Sequence, residues 1–469
     1  MRKNLLIRQH CARIVQNYEE SLVLVERQIC MAMQVYFYQT GRNKVRKKKR
    51  ILQFRVPCLQ FRVPWGERLS EYLTQGIYEW RMQLTRGHCW RNSSQVGFPL
   101  SFLTAKKGHG GSMKAYLILE DGTIFTGQSI GAPGEVISEI VFNTSMTGYL
   151  EVMTDPSYAG QAVVMTYPLI GNYGICYEDM ESERPWIDAL IVRELSRLPS
   201  NFRSGDTIQN FLSRYQIPGI SGIDTRALTK ILREKGTMNG CITTDGTFRL
   251  ETLLPRIKAY TTGNVVEKVT CSAAYELAGD GPRVALLDLG AKRNIARSLN
   301  ARGCHVTVYP AHTPAEEILA AKPDGIMLSN GPGDPKACAT VIREIRRLYE
   351  ADVPIFAICL GHQLMALAVG GDTYKMKYGH RGGNHPVRDL ATGRVYISSQ
   401  NHGYVVDAGR LDRAIAVPAF ENVNDGTNEG LCYTGKRIFT VQFHPEACPG
   451  PCDSSYLFDR FLKMMREEA

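Results

Sequence analysis

The chain has 469 residues, of which 44% are hydrophobic and 22% are charged. This is the composition of a globular protein with roughly two to four domains, not of a disordered or fibrous one. No apolar run reaches the roughly 18 residues that a membrane-spanning helix needs. The thirteen cysteines are irregularly spaced, which favours reduced thiols in a cytoplasmic protein over a disulfide framework.

The first 112 residues differ from the rest in charge and pattern. They carry 20 Lys and Arg, six Glu and no Asp, which is a net charge of +14, whereas residues 113–469 have a net charge of −4. The basic excess of the chain therefore belongs to this segment. Residues 46–50 form a basic block, and residues 52–57 are repeated at 59–64. The segment has too few serines for a transit peptide and lacks the apolar core of a secretory signal. We expect a basic extension, disordered or translated from a start codon placed too early, that ends before Met113.

Residues 113–245 are predicted to form a mixed β/α domain. Residues 116–127 indicate a hairpin with Asp121-Gly122 at its turn, because this dipeptide adopts the tight turns of hairpins. Short strands follow, mixed with helices such as one at residues 227–235. Residues 246–282 are interpreted as a connector that contains a helix-like piece at residues 250–260.

Strands and helices alternate from residue 283 to the C-terminus. Strands are predicted at residues 284–289, 306–309, 325–328 and 353–358, with helices at 294–302, 314–321 and 339–349. This β-α-β alternation predicts an α/β fold with a doubly wound, largely parallel sheet. Such sheets bind ligands at the carboxyl ends of their strands.

A glycine-rich loop follows the third of these strands. Gly331 and Gly333 lie within Asn330-Gly331-Pro332-Gly333-Asp334, where the absence of a Cβ permits the backbone to approach a small ligand closely. The alternative interpretation is an ordinary Gly/Pro turn.

Cys359 stands where the fourth strand meets a helix. The order strand, Cys359-Leu360-Gly361, helix is typical of a nucleophile elbow. A helix N-terminus favours the reactive thiolate, and the N–H of Leu360 can donate to an oxyanion. The alternative is a buried core cysteine. His362, one turn into the helix, is interpreted as structural.

The base predicted for Cys359 is His444, near the C-terminus. Residues 439–446 read as an apolar strand that ends in His444-Pro445-Glu446. The two-residue period of a strand would place His444 and Glu446 on one side. Glu446 could then orient the imidazole while His444 takes the thiol proton, as in a catalytic triad.

These motifs resemble known enzymes. Cys359-Leu360-Gly361-His362-Gln363 with His444-Pro445-Glu446 is similar to the class I glutamine amidotransferases. Residues 142–149, 154–158, 166–172 and 222–236 resemble the N-terminal domain of the small, glutamine-hydrolysing chains of carbamoyl phosphate synthetases. The resemblance runs from about residue 114 to about residue 462 and continues through residues 290–294, 379–386 and 400–404.

The resemblance implies glutamine hydrolysis with Cys359 as nucleophile, His444 as base and Glu446 as its orienting partner. The amides of Leu360 and Gly333 would receive the oxyanion. Glutamine contacts are implied at Ser157, Gly331, Gly333, Leu360, Gln363, Asn401, Gly403 and Tyr404. The chain departs from the family at Ala357, where glycine is usual, and at Tyr404, where phenylalanine is frequent.

The chain contains no Gly-x4-Gly-Lys-Ser/Thr loop, so ATP chemistry is expected elsewhere. No metal site is predicted, because Cys448 and Cys452 lack a second pair with suitable spacing. The resemblance implies a large synthetase subunit that binds ATP and Mg²⁺ and docks on residues 113–245. It would combine ammonia with bicarbonate into carbamoyl phosphate for arginine or pyrimidine synthesis. No nucleic-acid or membrane partner is expected.

Two alternatives remain open at this point. The chain could be the glutaminase component of another synthase, such as one for guanylate or anthranilate, although these lack a domain like residues 142–158. It could also be a catalytically silent regulatory chain, which the presence of all three triad residues disfavours.

Overall fold

The computed structural model describes residues 52–56, 59–63 and 113–466. The chain divides into two units, Met1–Lys107 and Gly108–Ala469. In the first unit, the repeated sequence forms two antiparallel strands, β1 (Leu52–Val56) and β2 (Leu59–Val63). The rest of residues 1–112, and with it the expectation of a disordered or mistranslated extension, lies outside the described residues.

A closed β-barrel opens the second unit. Its seven strands follow the order β10-β4-β3-β11-β5-β6-β8. Their bounds are β3 (Lys114–Leu119), β4 (Ile124–Ser129), β5 (Glu135–Asn143), β6 (Gln161–Met165), β8 (Ala189–Ile191), β10 (Gly219–Ser221) and β11 (Met238–Thr243). Two short strands, β7 (Leu169–Ile170) and β9 (Glu194–Leu195), pair beside it. The predicted hairpin is confirmed as β3 and β4, and Gly122 in its turn has a φ of 87°.

Three helices pack with the barrel strands: α1 (Tyr149–Thr154), α2 (Ile208–Arg214) and α3 (Thr225–Lys235). Phe211 of α2 and Leu228 of α3 are fully buried and lie on the apolar faces of these helices. The predicted helix at residues 227–235 is α3, which begins two residues earlier. The reason is Asp224, whose carboxylate accepts hydrogen bonds from the N–H groups of Arg226 and Ala227 and so caps the helix.

The segment after the barrel holds α4 (Leu250–Ala259), α5 (Val266–Val269) and strand β12 (Tyr275–Leu277). The predicted helix is present, but β12 was missed. A strand of three residues is too short to show a recognisable alternation of apolar and polar side chains. In addition, β12 pairs antiparallel with a strand about thirty residues later.

A ten-stranded sheet forms the remainder, in the order β12-β14-β13-β15-β16-β21-β20-β19-β17-β18. Its parallel strands are β13 (Arg283–Asp288), β14 (His305–Pro310), β15 (Gly325–Leu328), β16 (Ile355–Ile358) and β21 (Ile438–Val441). An antiparallel extension adds β17 (Thr373–Asp389), β18 (Val395–Val406), β19 (Ala416–Asn422) and β20 (Asn428–Tyr433). The predicted α/β class with a parallel, doubly wound sheet is confirmed, and the antiparallel strands widen it.

Helices cover both faces of the parallel strands: α6 (Arg293–Asn300), α7 (Ala315–Ala320), α8 (Ala339–Glu350), α9 (Leu360–Ala368) and α10 (Tyr456–Arg466). Leu364 of α9 joins the core on one face, and Phe458 of α10 joins the core on the other. Every residue of β15, β16 and β21 is buried, as expected for strands covered on both sides. Phe356 of β16 and Phe439 of β21 are neighbours in the strand register, and their rings stack with centroids 4.4 Å apart.

Among the helices of the described residues, none is both long and apolar enough to cross a membrane.

Candidate functional site

Cys359 lies at the sharp turn between β16 and α9. Its φ of 52° and ψ of −104° belong to a region that non-glycine residues rarely adopt. Two hydrogen bonds hold the turn: Cys359 N–H donates to Val441 O at 2.8 Å, and Gly361 N–H donates to Ser329 O at 3.0 Å. A Cβ on Gly361 would lie 2.6 Å from Leu328 O, so only glycine fits there. The strained turn aims the Cys359 side chain across the strand ends.

His444 and Glu446 face each other next to this turn. His444 Nδ1 and Glu446 Oε1 are 2.6 Å apart, and both side chains are buried. The prediction that an extended strand brings them together is wrong. Strand β21 ends at Val441, and the chain then turns, with Ala447 N–H donating to His444 O at 3.1 Å. The turn, and not the period of a strand, places the carboxylate on the imidazole.

The second nitrogen of His444, Nε2, is buried and has no hydrogen-bond partner at ordinary distance. The Cys359 thiol interacts with the same imidazole. The Sγ of Cys359 also lies 3.6 Å from Asn401 O. Burial disfavours the imidazolium, and so does the charge of Lys292, but Glu446 and Cys359 together outweigh them and raise the pKa of His444. A histidine with a raised pKa next to a thiol is able to take the thiol proton.

Lys292 is a site residue that the sequence analysis did not single out. It follows β13, and its Nζ lies 2.8 Å from Glu446 Oε1. The same Nζ donates to Ala447 O at 2.6 Å. Burial opposes the ionisation of Glu446, but Lys292 and His444 outweigh it and hold the pKa of Glu446 well below its usual range. The ammonium group therefore keeps the orienting carboxylate charged. A lysine four residues beyond the end of a buried strand was the available signal.

The glycine-rich loop after β15 lies against the elbow. A Cβ on Gly331 would lie 2.2 Å from Leu289 O and 2.7 Å from Leu360 Cδ2. Gly333 has a φ of 91°, a left-handed conformation that glycine adopts without strain. Leu360 is the first residue of α9, where a backbone N–H has no partner within the helix. Backbone donors from two segments thus lie around Cys359.

A second hydrogen-bonded group ties the barrel to the strand ends. Asn330 Nδ2 donates to Ser157 Oγ at 2.8 Å, and Asn401 Nδ2 donates to Asp155 Oδ2 at 2.9 Å. Asp155 also accepts from Ser157 N–H at 2.9 Å. Asp155 and Asn330 were not singled out as site residues, because their partners lie more than 170 positions away.

These groups surround a cavity of about 480 Å³. Cys359 lines it together with seven of the predicted glutamine contacts: Ser157, Gly331, Gly333, Gln363, Asn401, Gly403 and Tyr404. Leu360, His444 and Glu446 are not among its lining residues. Gln363 is fixed by hydrogen bonds from its Nε2 to Tyr404 O at 2.8 Å and to Gln442 Oε1 at 2.9 Å. The barrel and the sheet both contribute walls, so the cavity suits a small polar ligand.

His362 points away from this cavity. It is fully buried, with Nδ1 2.7 Å from Thr440 Oγ1. Burial lowers the pKa of His362 to about 3. A neutral imidazole packed under the sheet fits the structural role that the sequence analysis favoured.

Comparison with known proteins covers both halves of the second unit. Residues 117–242 match the family described as carbamoyl-phosphate synthase small chain, CPSase domain, and residues 285–464 match glutamine amidotransferase class-I. A carbamoyl phosphate synthase small chain from Symbiobacterium thermophilum is 50% identical over 358 residues, which are 75% of this chain and 98% of the relative. One from Clostridium perfringens is 51% identical over 351 residues, covering 75% and 99%. A pyrimidine-specific small chain from Halalkalibacterium halodurans is 50% identical over 354 residues, covering 75% and 97%.

Proposed function

The chain belongs to the carbamoyl phosphate synthase small-chain family, and we propose that Cys359, His444 and Glu446 hydrolyse glutamine in its catalytic cavity. The observation that carries this assignment is the buried His444–Glu446 contact of 2.6 Å beside a strained, cavity-lining cysteine. Nucleophile, base and orienting group occur in the order that covalent acyl transfer requires.

In the first half-reaction, Cys359 Sγ attacks the side-chain amide carbon of glutamine, and the thiol proton passes to His444 Nε2. The N–H groups of Leu360 and Gly333 stabilise the oxyanion, which is the largest single contribution in many acyl transfers. As the C–N bond breaks, His444 returns the proton to the leaving nitrogen. Ammonia departs, and a γ-glutamyl thioester remains on Cys359.

In the second half-reaction, His444 takes a proton from water, whose oxygen attacks the thioester carbon. The C–S bond breaks, glutamate is released, and the Cys359 sulfur recovers a proton. Glu446 stays ionised through both halves, because Lys292 stabilises its charge. Its task is to hold one orientation of the imidazole and to stabilise the imidazolium.

The ammonia is proposed to leave by a route other than the glutamine entrance. A small cavity of about 10 Å³ is lined by His444 and Asn401 together with Gly382 and Pro449. This volume is close to the ~10–15 Å³ that one water-sized molecule needs. It would pass ammonia and exclude glutamine.

The acceptor of this ammonia is proposed to be a large synthetase subunit that binds ATP, Mg²⁺ and bicarbonate. A groove of about 1420 Å³ between α3 and β17 would receive it. The groove is lined by six basic side chains and two acidic ones, which suits an acidic surface; they are Arg193, Arg226, Lys230, Arg233, Lys377, Arg381, Asp224 and Glu234. The described cysteines are all free thiols, which supports a cytoplasmic location.

Cross-linking with mass spectrometry would test the docking surface. In the assembled complex, we expect cross-links from the large subunit to Lys230 and Lys377, because both lie in the basic groove. Lys463, an exposed residue of α10 that does not line the groove, is the reference position. Cross-links found at Lys463 and absent from the groove would contradict the docking proposal.

The proposed activity is tested with the full chain and a large synthetase subunit. ATP, bicarbonate and glutamine should together give carbamoyl phosphate and glutamate in equal amounts, because each glutamine supplies one ammonia. Ammonium chloride in place of glutamine serves as the control for the large subunit. Product with ammonium, but neither product nor glutamate with glutamine, would refute the proposal.

A further inference from the structure

A second buried polar group lies behind the glutamine-binding strand, and the triad mechanism does not use it. Its centre is Glu429 on β20, which is fully buried. Glu429 Oε1 accepts hydrogen bonds from Gln400 Nε2 and from Asn422 Nδ2, each at 2.8 Å. His380 Nδ1 lies 3.5 Å from the same oxygen. A buried carboxylate is costly unless charge and donors compensate it, so these three partners are required.

His380 is held from its other side by Asp425. His380 Nε2 and Asp425 Oδ2 are 2.8 Å apart, and Asp425 lies on the partly exposed turn before β20. Burial would lower the pKa of His380, but the hydrogen bonds to Asp425 and Glu429 outweigh it and raise the pKa to about 9. At neutral pH His380 is therefore an imidazolium between two carboxylates. The other titratable rings facing it are His402 on β18 and His385 on β17, each with centroids 5.0 Å away.

The network continues from Glu429 into the cavity wall. Gln400 Nε2 donates to Glu429, so the other amide atom, Gln400 Oε1, faces His402 Nε2 at 2.6 Å. His402 Nδ1 lies 2.8 Å from Tyr404 O, the carbonyl that also accepts from Gln363. Residues 400–404 are the part of β18 that carries Asn401, Gly403 and Tyr404 into the cavity. His402 belongs to the network and also lines the cavity, so the network and the ligand site meet within this segment.

His380, His402 and Glu429 also have the composition of a metal site, since their donor atoms lie within 4.8 Å of one another. The contacts favour a hydrogen-bond network. Both ring nitrogens of His402 lie within 2.8 Å of a carbonyl oxygen, to one of which the neutral ring donates, and Glu429 Oε1 already accepts from two amides. A cation would have to displace these bonds.

We propose that Glu429 is a positioning residue for glutamine binding, which acts through Gln400 and depends on the His380–Asp425 pair. This inference rests on the proposed glutaminase function. Glu429 fixes the amide of Gln400, and Gln400 anchors the segment 400–404 behind the cavity wall. Burial and the charge of His380 hold the pKa of His402 well below its usual range, so its neutral ring donates from one nitrogen only, either to Gln400 Oε1 or to Tyr404 O,. When His380 loses its proton, the charge of Glu429 is left uncompensated, and the segment 400–404 loses its alignment.

The pH dependence follows from the sign of the His380 shift. A raised pKa means that the folded state stabilises the protonated ring. This contribution is fully present below about 6.5, the ordinary pKa of histidine, and is lost as pH rises through about 9,. In the wild type, KM for glutamine should therefore rise on the alkaline side. Asp425→Asn removes one of the two carboxylates that raise the pKa of His380, so the rise in KM should begin about 1 pH unit lower or more.

The test measures kcat and KM for glutamine hydrolysis by the assembled two-subunit enzyme between pH 7 and pH 10. For Glu429→Gln, we expect KM at neutral pH to rise about tenfold, the effect of losing a charged hydrogen-bond acceptor. The kcat should stay within about threefold, because the triad is not contacted. Glu421→Gln is the matched control, since Glu421 lies on the neighbouring strand in a half-exposed pair with Arg388; its KM should equal that of the wild type.

Unchanged KM values and an unshifted alkaline limb would overturn the proposal, as would a fall in kcat at constant KM. If Glu429→Gln does not fold, Asp425→Asn decides alone, because its side chain is partly exposed. A wild-type enzyme without glutamine hydrolysis would instead refute the proposed function, which keeps the two failures distinct.

Discussion

Cys359→Ser is expected to reduce glutamine-dependent carbamoyl phosphate synthesis by roughly 10³-fold or more, the usual scale for loss of a catalytic nucleophile. A serine hydroxyl in the same turn is a much weaker nucleophile than a thiolate paired with His444. Ammonia-dependent synthesis should be unchanged, because it bypasses the cavity. Both rates are measured on the assembled enzyme, with glutamate release as a second readout.

Cys432→Ser is the matched control for this substitution. Cys432 is a free, half-buried thiol on β20 that does not line the catalytic cavity. Its variant should keep both rates within about twofold, as expected for a change away from the site. A Cys359→Ser enzyme whose glutamine-dependent rate stays within tenfold of the wild type would exclude Cys359 as the nucleophile.

Lys292→Met is expected to damage both stability and catalysis. The substitution leaves the carboxylate of Glu446 buried without its ammonium partner, and breaking a buried ion pair costs about 3–5 kcal/mol. Denaturant unfolding at neutral pH should show this loss of free energy. Glutaminase activity should fall by roughly 10- to 100-fold, the usual effect of losing a group that orients a reacting side chain.

Lys336→Met gives the matched control for stability. Lys336 contacts Asp372 at 2.6 Å, but its side chain is 51% exposed, and such surface pairs contribute no more than about 1 kcal/mol. The double variant Lys292→Met/Glu446→Gln should regain part of the lost stability, because both buried charges are removed, without regaining activity. Lys292→Met unfolding at the same denaturant concentration as Lys336→Met would contradict the role assigned to Lys292.

The local features of the fold followed from the sequence because they depend on neighbouring residues. The β-α alternation from residue 283 onward fixed the sheet class, since fully buried strands read as continuous apolar runs. The turn at Cys359 could be predicted for the same reason, because an apolar strand, a reactive residue and a glycine follow closely on one another in the sequence. The structure shows that this glycine admits no side chain.

The remaining features depend on contacts between distant segments. Lys292 reaches Glu446 across 154 positions, and Asn401 reaches Asp155 across 246. The turn at residues 442–447 reads as strand from its composition, but β21 ends at Val441, and beyond it His444 makes only an isolated antiparallel bridge to Ser399. The Glu429 network joins all four strands of the antiparallel extension, whose pairing no single-sequence pattern specifies. Tertiary packing decided these placements, and local preference did not.

The measurement that tests the central claim most directly is covalent labelling of the intact enzyme with a glutamine analogue that carries a chloromethyl ketone. The account predicts one adduct, located by peptide mass spectrometry on Cys359, that forms together with loss of glutaminase activity and is suppressed by excess glutamine. Two results would contradict the assigned catalytic site. One is an adduct on a different cysteine that excess glutamine suppresses, and the other is no adduct on Cys359 in the presence of the large subunit.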